Sequence, residues 1–318
     1  MTGISSLVMT ATVLSEIVLP QLPSASGIEI IGHTAYVISD DAPFLYLLDA
    51  ATLAPTGQIQ LFETNAFGTG RIPKAAKPDL ESMAAVVSPT GAAGLLLCGS
   101  GSRPNREVGY YVALPAPGIP QPAFGQPLDL SALYAPLRTQ LPAGAQLNIE
   151  AAATTAAELL LLQRGVGGGP AQLFALPLAA TLAHLLNESG APAPAPNRVL
   201  TFQLPPIDGH SAGFSGATFV NGTLFVTASV EATADAVLDG AVLGSFIGVV
   251  NLETQTATFA RLAWADGRLY RGKVEGLAVR RTLGPGQLEL LLVTDDDLGG
   301  STAVVAELRL AVELSGAQ

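Results

Sequence analysis

The chain has 318 residues, of which 49% are hydrophobic, 13% charged and 6% aromatic; this is ample apolar material for a buried core and excludes a disordered tail. Twenty-six acidic against fifteen basic residues leave a net charge of -11, a field that repels a phosphate backbone and excludes nucleic acid as the main partner. Mean hydropathy is high at +0.43, yet Gly, Pro, Asn, Asp or Ser interrupts each apolar run before about 18 residues, so no membrane-spanning segment is expected.

In chain order, residues 11–19 read as an apolar strand with no neighbouring partner. Strands at 26–31, 34–39, 44–48 and 57–62 follow, separated by turn residues. The layout returns at 81–86, 94–98, 108–114 and, weakly, 126–130, then at 150–153, 158–163, 171–176 and 199–204. It returns again at 215–220, 223–228, 246–252 and 256–262, and ends with 275–279, 288–294 and 303–310. Helical periodicity is confined to 128–141 and 176–186, inside segments near 116–145 and 177–198 that are expected as surface insertions. The first basic residue is Arg71, so the opening residues lack the positive region of a secretory signal and a cytoplasmic location is expected.

Each repeat opens on Ser or Glu followed by a small residue: Ser26-Gly27, Glu81-Ser82, Glu150-Ala151, Ser215-Gly216 and Glu275-Gly276. The openers are spaced by 55, 69, 65 and 60 residues, and by 69 across the termini. The last repeat lacks a fourth strand, which residues 11–19 are expected to supply. This pattern predicts an all-β chain folded over 1–318 as one five-bladed β-propeller, closed by its N-terminal strand. A generic β-sandwich is the alternative.

In a propeller the first strand of each blade lines the central channel, so Ser26, Glu81, Glu150, Ser215 and Glu275 are expected to converge at one end. Three carboxylates on one axis must raise their pKa values, hydrate or hold a cation. Calcium suits a set of carboxylate, hydroxyl and carbonyl oxygens, whereas zinc prefers the His and Cys this axis lacks. A ring of hydrated or Ser-bonded carboxylates is the metal-free alternative.

The order Ser, Glu, Glu, Ser, Glu resembles that of the calcium-activated nucleotidases of the apyrase family. Such a resemblance implies one channel calcium and hydrolysis of nucleoside diphosphates. The segments Lys77-Pro-Asp-Leu-Glu81-Ser-Met-Ala and Lys273-Val-Glu275-Gly-Leu-Ala are similar to esterase-like phytase-domain propellers. The nucleotidases carry aromatic-rich motifs after the channel glutamates, whereas here Ser82, Ala151 and Gly276 follow and Trp264 is the only tryptophan.

Loops before first strands and after second strands share the openers' face. They hold Arg71, Lys74, Lys77, Arg268, Arg271, Lys273, Arg103, Arg106 and Arg164, nine of the fifteen basic residues. Lys77, Arg103, Arg106, Arg164, Arg271 and Lys273 are therefore expected to bind a small anionic molecule, through forks and point charges suited to phosphate or carboxylate. Asp295, Asp296 and Asp297, with His210, are the candidate catalytic groups, and Asp40, Asp41 and Glu231 lie on the same face. The plain alternative is that loops are where charge is solvated.

Other chemistries fail on spacing. Gly213-Phe-Ser215-Gly216-Ala217 lacks the last glycine of a nucleophile elbow. The glycine-rich stretch from Gly165 leads toward a strand without a following Lys-Ser/Thr, so it is no phosphate cradle. Cys98 ends an apolar run and reads as core. The expected function is a calcium-dependent hydrolase of a phosphoanhydride or phosphoester. A non-enzymatic propeller with a structural channel calcium is the alternative, and metal-dependent esterase or lactonase chemistry is a third reading.

Overall fold

The computed structural model describes residues 5–115, 122–165, 169–186, 190–232 and 240–314. Parts of both expected insertions and of the glycine-rich stretch (residues 116–121, 187–189 and 166–168) therefore lie outside the described residues. No helix among the described residues is long and apolar enough to cross a membrane.

The first strand, β1 (Ser5–Val18), is followed by an antiparallel sheet of β2 (Ala25–Ile31), β3 (Thr34–Ser39), β4 (Phe44–Asp49) and β5 (Pro55–Gln60). A second is built of β6 (Leu80–Val87), β7 (Ala93–Gly99), β8 (Val108–Ala113) and β9 (Gln126–Asp129). The third has β10 (Ile149–Thr154), β11 (Glu158–Gln163), β12 (Ala171–Pro177) and β13 (Arg198–Phe202). The remaining strands are β14 (Gly213–Val220), β15 (Thr223–Glu231), β16 (Val242–Asn251), β17 (Thr256–Trp264), β18 (Lys273–Gly284), β19 (Gln287–Asp295) and β20 (Ser301–Leu314). With β1 they form an eight-stranded sheet in the order β14-β15-β16-β17-β1-β20-β19-β18. Its two antiparallel halves meet only where Ala11, Thr12 and Val13 run parallel to Leu262, Ala263 and Trp264. Against β20, by contrast, β1 pairs from Ser5 opposite Leu314 to Val18 opposite Thr302. The N-terminal strand thus supplies the missing partner at the C-terminal end.

The middle strands are apolar on both faces because each serves two cores. Leu95 and Leu97 of β7 pack with Tyr36, Ile38 and Leu45 of the preceding sheet. Leu96, pointing the other way, packs with Ile149, Ala152 and Leu161 of the following one. Alternation along a strand explains this split, and burial on both sides explains why such strands read as unbroken apolar runs. The two helices, α1 (Ser131–Arg138) and α2 (Leu178–Leu185), are not loose excursions. Leu133, Tyr134 and Leu137 of the first and Leu182 and Leu185 of the second are buried in that same cluster.

The first strands β2, β6, β10, β14 and β18 neighbour one another in a closed cycle. Where β18 meets β2 and β14 the approach is close enough to exclude a side chain. A Cβ on Gly276 would lie 2.9 Å from the Gly27 Cα, and one on Gly216 would lie 2.9 Å from the Gly276 Cα. Glycine after Ser215 and after Glu275 is therefore a packing requirement where backbones meet, whereas Ser82 and Ala151 keep a Cβ at the equivalent positions.

Candidate functional site

Each opener is a bulged residue. Register slips between Ala25 and Gly27, Leu80 and Ser82, Ile149 and Ala151, Phe214 and Gly216, and Val274 and Gly276. The residue skipped in each case is Ser26, Glu81, Glu150, Ser215 or Glu275. A bulge leaves one residue out of the ladder, bends the strand and re-aims its side chain, a device common beside functional sites. The local pattern of opener plus small residue thus becomes the same kink five times.

Ser26, Glu81, Glu150 and Glu275 line a cavity of about 300 Å³. The same four also line a void of about 10 Å³ beneath it, together with Gly216 and Gly276, so the cavity has a nearly closed floor. The fifth opener is turned away. The Ser215 hydroxyl donates to Thr227 Oγ1 at 3.2 Å and lies 3.3 Å from Ser229 Oγ. Ser26 is at the wall, but its hydroxyl donates to the Leu80 carbonyl at 2.5 Å.

Two ion-pair networks form the walls. On one side the Lys77 ammonium donates to Asp40 and lies 3.3 Å from Asp79 Oδ1 and 3.5 Å from Asp41 Oδ1. Arg106 Nη1 donates to Asp79 Oδ2 at 2.6 Å, and Arg71 Nε to Asp41 Oδ2 at 2.6 Å. On the other side Arg164 joins two carboxylates: Nη1 donates to Glu150 Oε2 at 3.0 Å, and Nη2 donates to Glu231. The Lys273 ammonium lies 3.2 Å from Glu275 Oε1, 3.5 Å from Glu231 Oε1 and 2.9 Å from Asp297 Oδ1. The basic residues that composition placed on one rim are therefore largely spent on acids of the same rim.

Acids still exceed bases. Nine carboxylates and six basic side chains line the cavity among the described residues. Burial, reinforced by Asp40, Glu150 and Asp79 and opposed by Lys77, holds the Glu81 carboxyl well above its usual range. Burial pushes Asp40 up to about 7 against the pull of Lys77, and Glu275 up to about 8 against Lys273 and Arg164. Glu150 and Asp295 are raised for the same reason. Burial alone would lower Lys77, but Asp40, Glu81 and Asp79 raise it above its ordinary value.

Of the expected anion-binding residues, Lys77, Arg106, Arg164 and Lys273 line the cavity and Arg103 and Arg271 do not. Of the expected catalytic groups, Asp295 and Asp297 line it. Asp296 faces out and closes its own loop, accepting from the Leu298 and Gly300 amides at 2.8 and 2.7 Å. His210 is also outside, its backbone paired both ways with Ile207. Arg268 lies over the Trp264 ring at 5.2 Å. Sequence reasoning missed Asp79 and Asn148, which stand two residues before Glu81 and Glu150. Each stands one residue before its strand begins, outside the alternation of β6 and β10, so strand periodicity did not point to it. Asp79 also has φ of 58°, a left-handed conformation that Asp tolerates better than most residues.

One oxygen each from Asp40, Asp79 and Glu81 lies within 4.8 Å of the others, and Asp40 Oδ1 has no hydrogen-bond partner. Oxygens around a calcium at about 2.4 Å can be at most about 5 Å apart, so this all-oxygen wall fits a hard cation. The Lys77 ammonium now supplies the counter-charge there.

Fold and site together define an all-β, propeller-like protein with an acidic, ion-paired cavity at one end of its inner strands. Residues 21–308 match the model of Family of unknown function (DUF6929), and the chain belongs to that family. No curated protein matches the sequence. Among solved structures, glutaminyl cyclase of Myxococcus xanthus is similar at 11% identity, with 95% of this chain and 98% of that one covered and a TM-score of 0.49. The endo-arabinase of Bacteroides thetaiotaomicron is similar at 11% identity, 94% and 95% coverage and a TM-score of 0.47. The Cps50 (Swd1) β-propeller domain of Myceliophteria thermophila is similar at 9% identity, 89% and 67% coverage and a TM-score of 0.33.

Proposed function

We propose that the chain is a five-bladed β-propeller whose channel mouth takes up a divalent cation, calcium by its all-oxygen donor set. The ion would sit off the axis, on Asp40, Asp79 and Glu81, rather than on the full ring of openers. The five bulged openers and the closed cycle of inner strands support the blade count. The observation that carries the cation reading is the convergence of three carboxylate oxygens within 4.8 Å in a cavity where acids outnumber bases. Ser215 is not among the residues that line the cavity, its hydroxyl being turned to Thr227, which favours the eccentric position. Lys77 must withdraw for the ion to enter, and its flexible stem permits this.

A bound cation would supply charge neutralisation and a Lewis acid for a phosphoryl oxygen. Hydrolysis of a small phosphoanhydride or phosphoester is a second reading, favoured by Asp295 and Asp297 at the same wall, carboxylates able to orient a water. In that reading Arg71, half-exposed and hinged on Asp41, orients the anion.

Calorimetric titration with calcium chloride tests the first reading. Saturable binding weakened about tenfold or more by Glu81→Gln and by Asp79→Asn is expected, since each removes one charged ligand. Equal affinity in wild type and both variants would overturn it. Phosphate release from a panel of nucleotides and sugar phosphates, with and without calcium, tests the second. Calcium binding without turnover would leave the cation site as a structural or binding feature.

A further inference from the structure

Two lysines line the cavity, and each ammonium stands among three carboxylates, where a small cation would stand. Lys77 has Asp40, Asp41 and Asp79 around it, and Lys273 has Glu231, Glu275 and Asp297. The two are held differently. Lys273 is the first residue of β18 and pairs with Asp295 in the ladder, so its stem starts from fixed backbone. Lys77 belongs to the connection 61–79 between β5 and β6, where its amide donates to the Pro73 carbonyl at 3.1 Å in a turn.

The Lys77 side chain is 9% exposed, so its charge depends on partners inside the cavity. Two of those partners, Asp40 and Asp79, belong to the trio whose oxygens lie within 4.8 Å of one another. Asp41 does not. Its Oδ2 already accepts from Ser24 Oγ at 2.9 Å and from Arg71 Nε at 2.6 Å, whereas its Oδ1 lies 3.5 Å from the Lys77 ammonium. A small shift of a flexible stem carries the ammonium from the trio to that oxygen without leaving the cavity. An ammonium and a divalent ion on the same carboxylates repel each other across a few ångströms, so one excludes the other.

On the cation reading above, we propose that Lys77 is a tethered competitor for the divalent ion: it fills the site in the ion-free protein, moves to Asp41 when the ion enters, and so sets the ion concentration at which the site fills. A site that is open one part in a hundred of the time loses about a hundredfold in apparent affinity. Removing the ammonium abolishes that loss, and removing its landing place deepens it. Changes at Lys77 and at Asp41 therefore act in opposite directions, although neither residue is a ligand of the ion. A purely structural role would weaken binding in both cases.

The test is calorimetric titration of the full chain with calcium chloride, in wild type, Lys77→Met, Lys77→Arg, Asp41→Asn and the Lys77→Met/Asp41→Asn double variant. Lys77→Met should bind at least about tenfold more tightly than wild type, and Lys77→Arg, which keeps the charge, no more tightly. Asp41→Asn should bind about threefold or more weakly, and in the Lys77→Met background that loss should shrink below about twofold. Crystals of the wild-type chain grown with calcium should show the ammonium beside Asp41 and away from Asp40, a result that does not depend on how any variant folds. A Lys77→Met chain that binds no more tightly than wild type, or an ammonium still on Asp40 beside the bound ion, would overturn the competitor and leave the cation reading standing. An equal loss from Asp41→Asn in both backgrounds would overturn the move to Asp41. Binding confined to Lys77→Met would uphold the competitor and overturn the cation reading for the wild type, and binding by neither chain would overturn both.

Discussion

Arg164 Nη1 donates to Glu150 Oε2 at 3.0 Å, so the residue just after β11 neutralises the bulged opener of β10 in the same sheet. Its other nitrogen reaches Glu231 at the end of β15 in the neighbouring sheet. One guanidinium therefore ties two sheets across the cavity. Both carboxylates and the arginine are buried. Removing one partner of a buried pair leaves an uncompensated charge and costs about 3–5 kcal/mol. Arg164→Ala should lose that much in urea unfolding, while Arg164→Ala combined with Glu150→Gln should recover part of it. A loss below about 1 kcal/mol would mean that water already screens the pair.

Acidity at the cavity gives a pH dependence with a definite sign. Asp40 and Glu275 are raised to about 7 and about 8 from unfolded values near 4. Between those limits the folded state binds more protons than the unfolded one, so stability falls as pH rises. Their contribution is complete below about pH 4 and is lost as pH climbs through 7 and 8. The melting temperature should therefore be higher at pH 6 than at pH 8.5, and Glu275→Gln should flatten the difference. Calcium, if it binds the ionised wall, should raise the melting temperature more at pH 8.5 than at pH 6. A melting temperature that climbs from pH 6 to 8.5 would contradict the assignment.

The axis is the least tolerant place for an added methyl group. Gly276→Ala puts a Cβ 2.9 Å from one backbone atom and 3.0 Å from another, and neither can move independently of its strand. Overpacking of this kind costs about 1–3 kcal/mol. Gly57→Ala, where nothing lies within 4 Å, should change stability by no more than about 0.5 kcal/mol. Denaturation midpoints of the two variants compare the sites directly, and equal midpoints would refute the tight axis.

Closure by β1 predicts the effect of a truncation. Removing residues 1–18 strips β20 of its partner along most of its length and exposes the apolar neighbours of Ala11 and Val13. An unpaired edge of that length is a template for association. The truncated chain should lose its cooperative thermal transition or elute as aggregates in size-exclusion chromatography, and supplying residues 1–18 as a peptide should restore part of the transition. A truncated monomer that melts like the intact chain would show that β1 is dispensable.

Much of this molecule was legible because its information is local. Strands such as β7 and β11 are short apolar runs between turn residues, and the opener-plus-small doublet recurs five times at similar spacing. The pairing of β1 with β20 followed from counting strands: one repeat lacked a strand and one strand lacked a repeat. The buried faces of α1 and α2 were less legible, since a short amphipathic helix looks alike on a surface and over a core.

The site was legible in its members but not in its wiring. Composition and loop position were enough to gather Lys77, Arg106, Arg164, Lys273 and the glutamates at one end, because the strand period and the direction of each hairpin are set by neighbouring residues. Only the tertiary structure decided that Lys77 serves Asp40, that Arg164 reaches from Glu150 to Glu231, that Ser215 turns inward to Thr227 and that His210 stays outside the cavity. Partners such as Arg164 and Glu231 are 67 residues apart, and the radius at which the sheets meet sets their separation. Charge pairing falls off over a few ångströms, so it depends on a distance that no run of adjacent residues encodes.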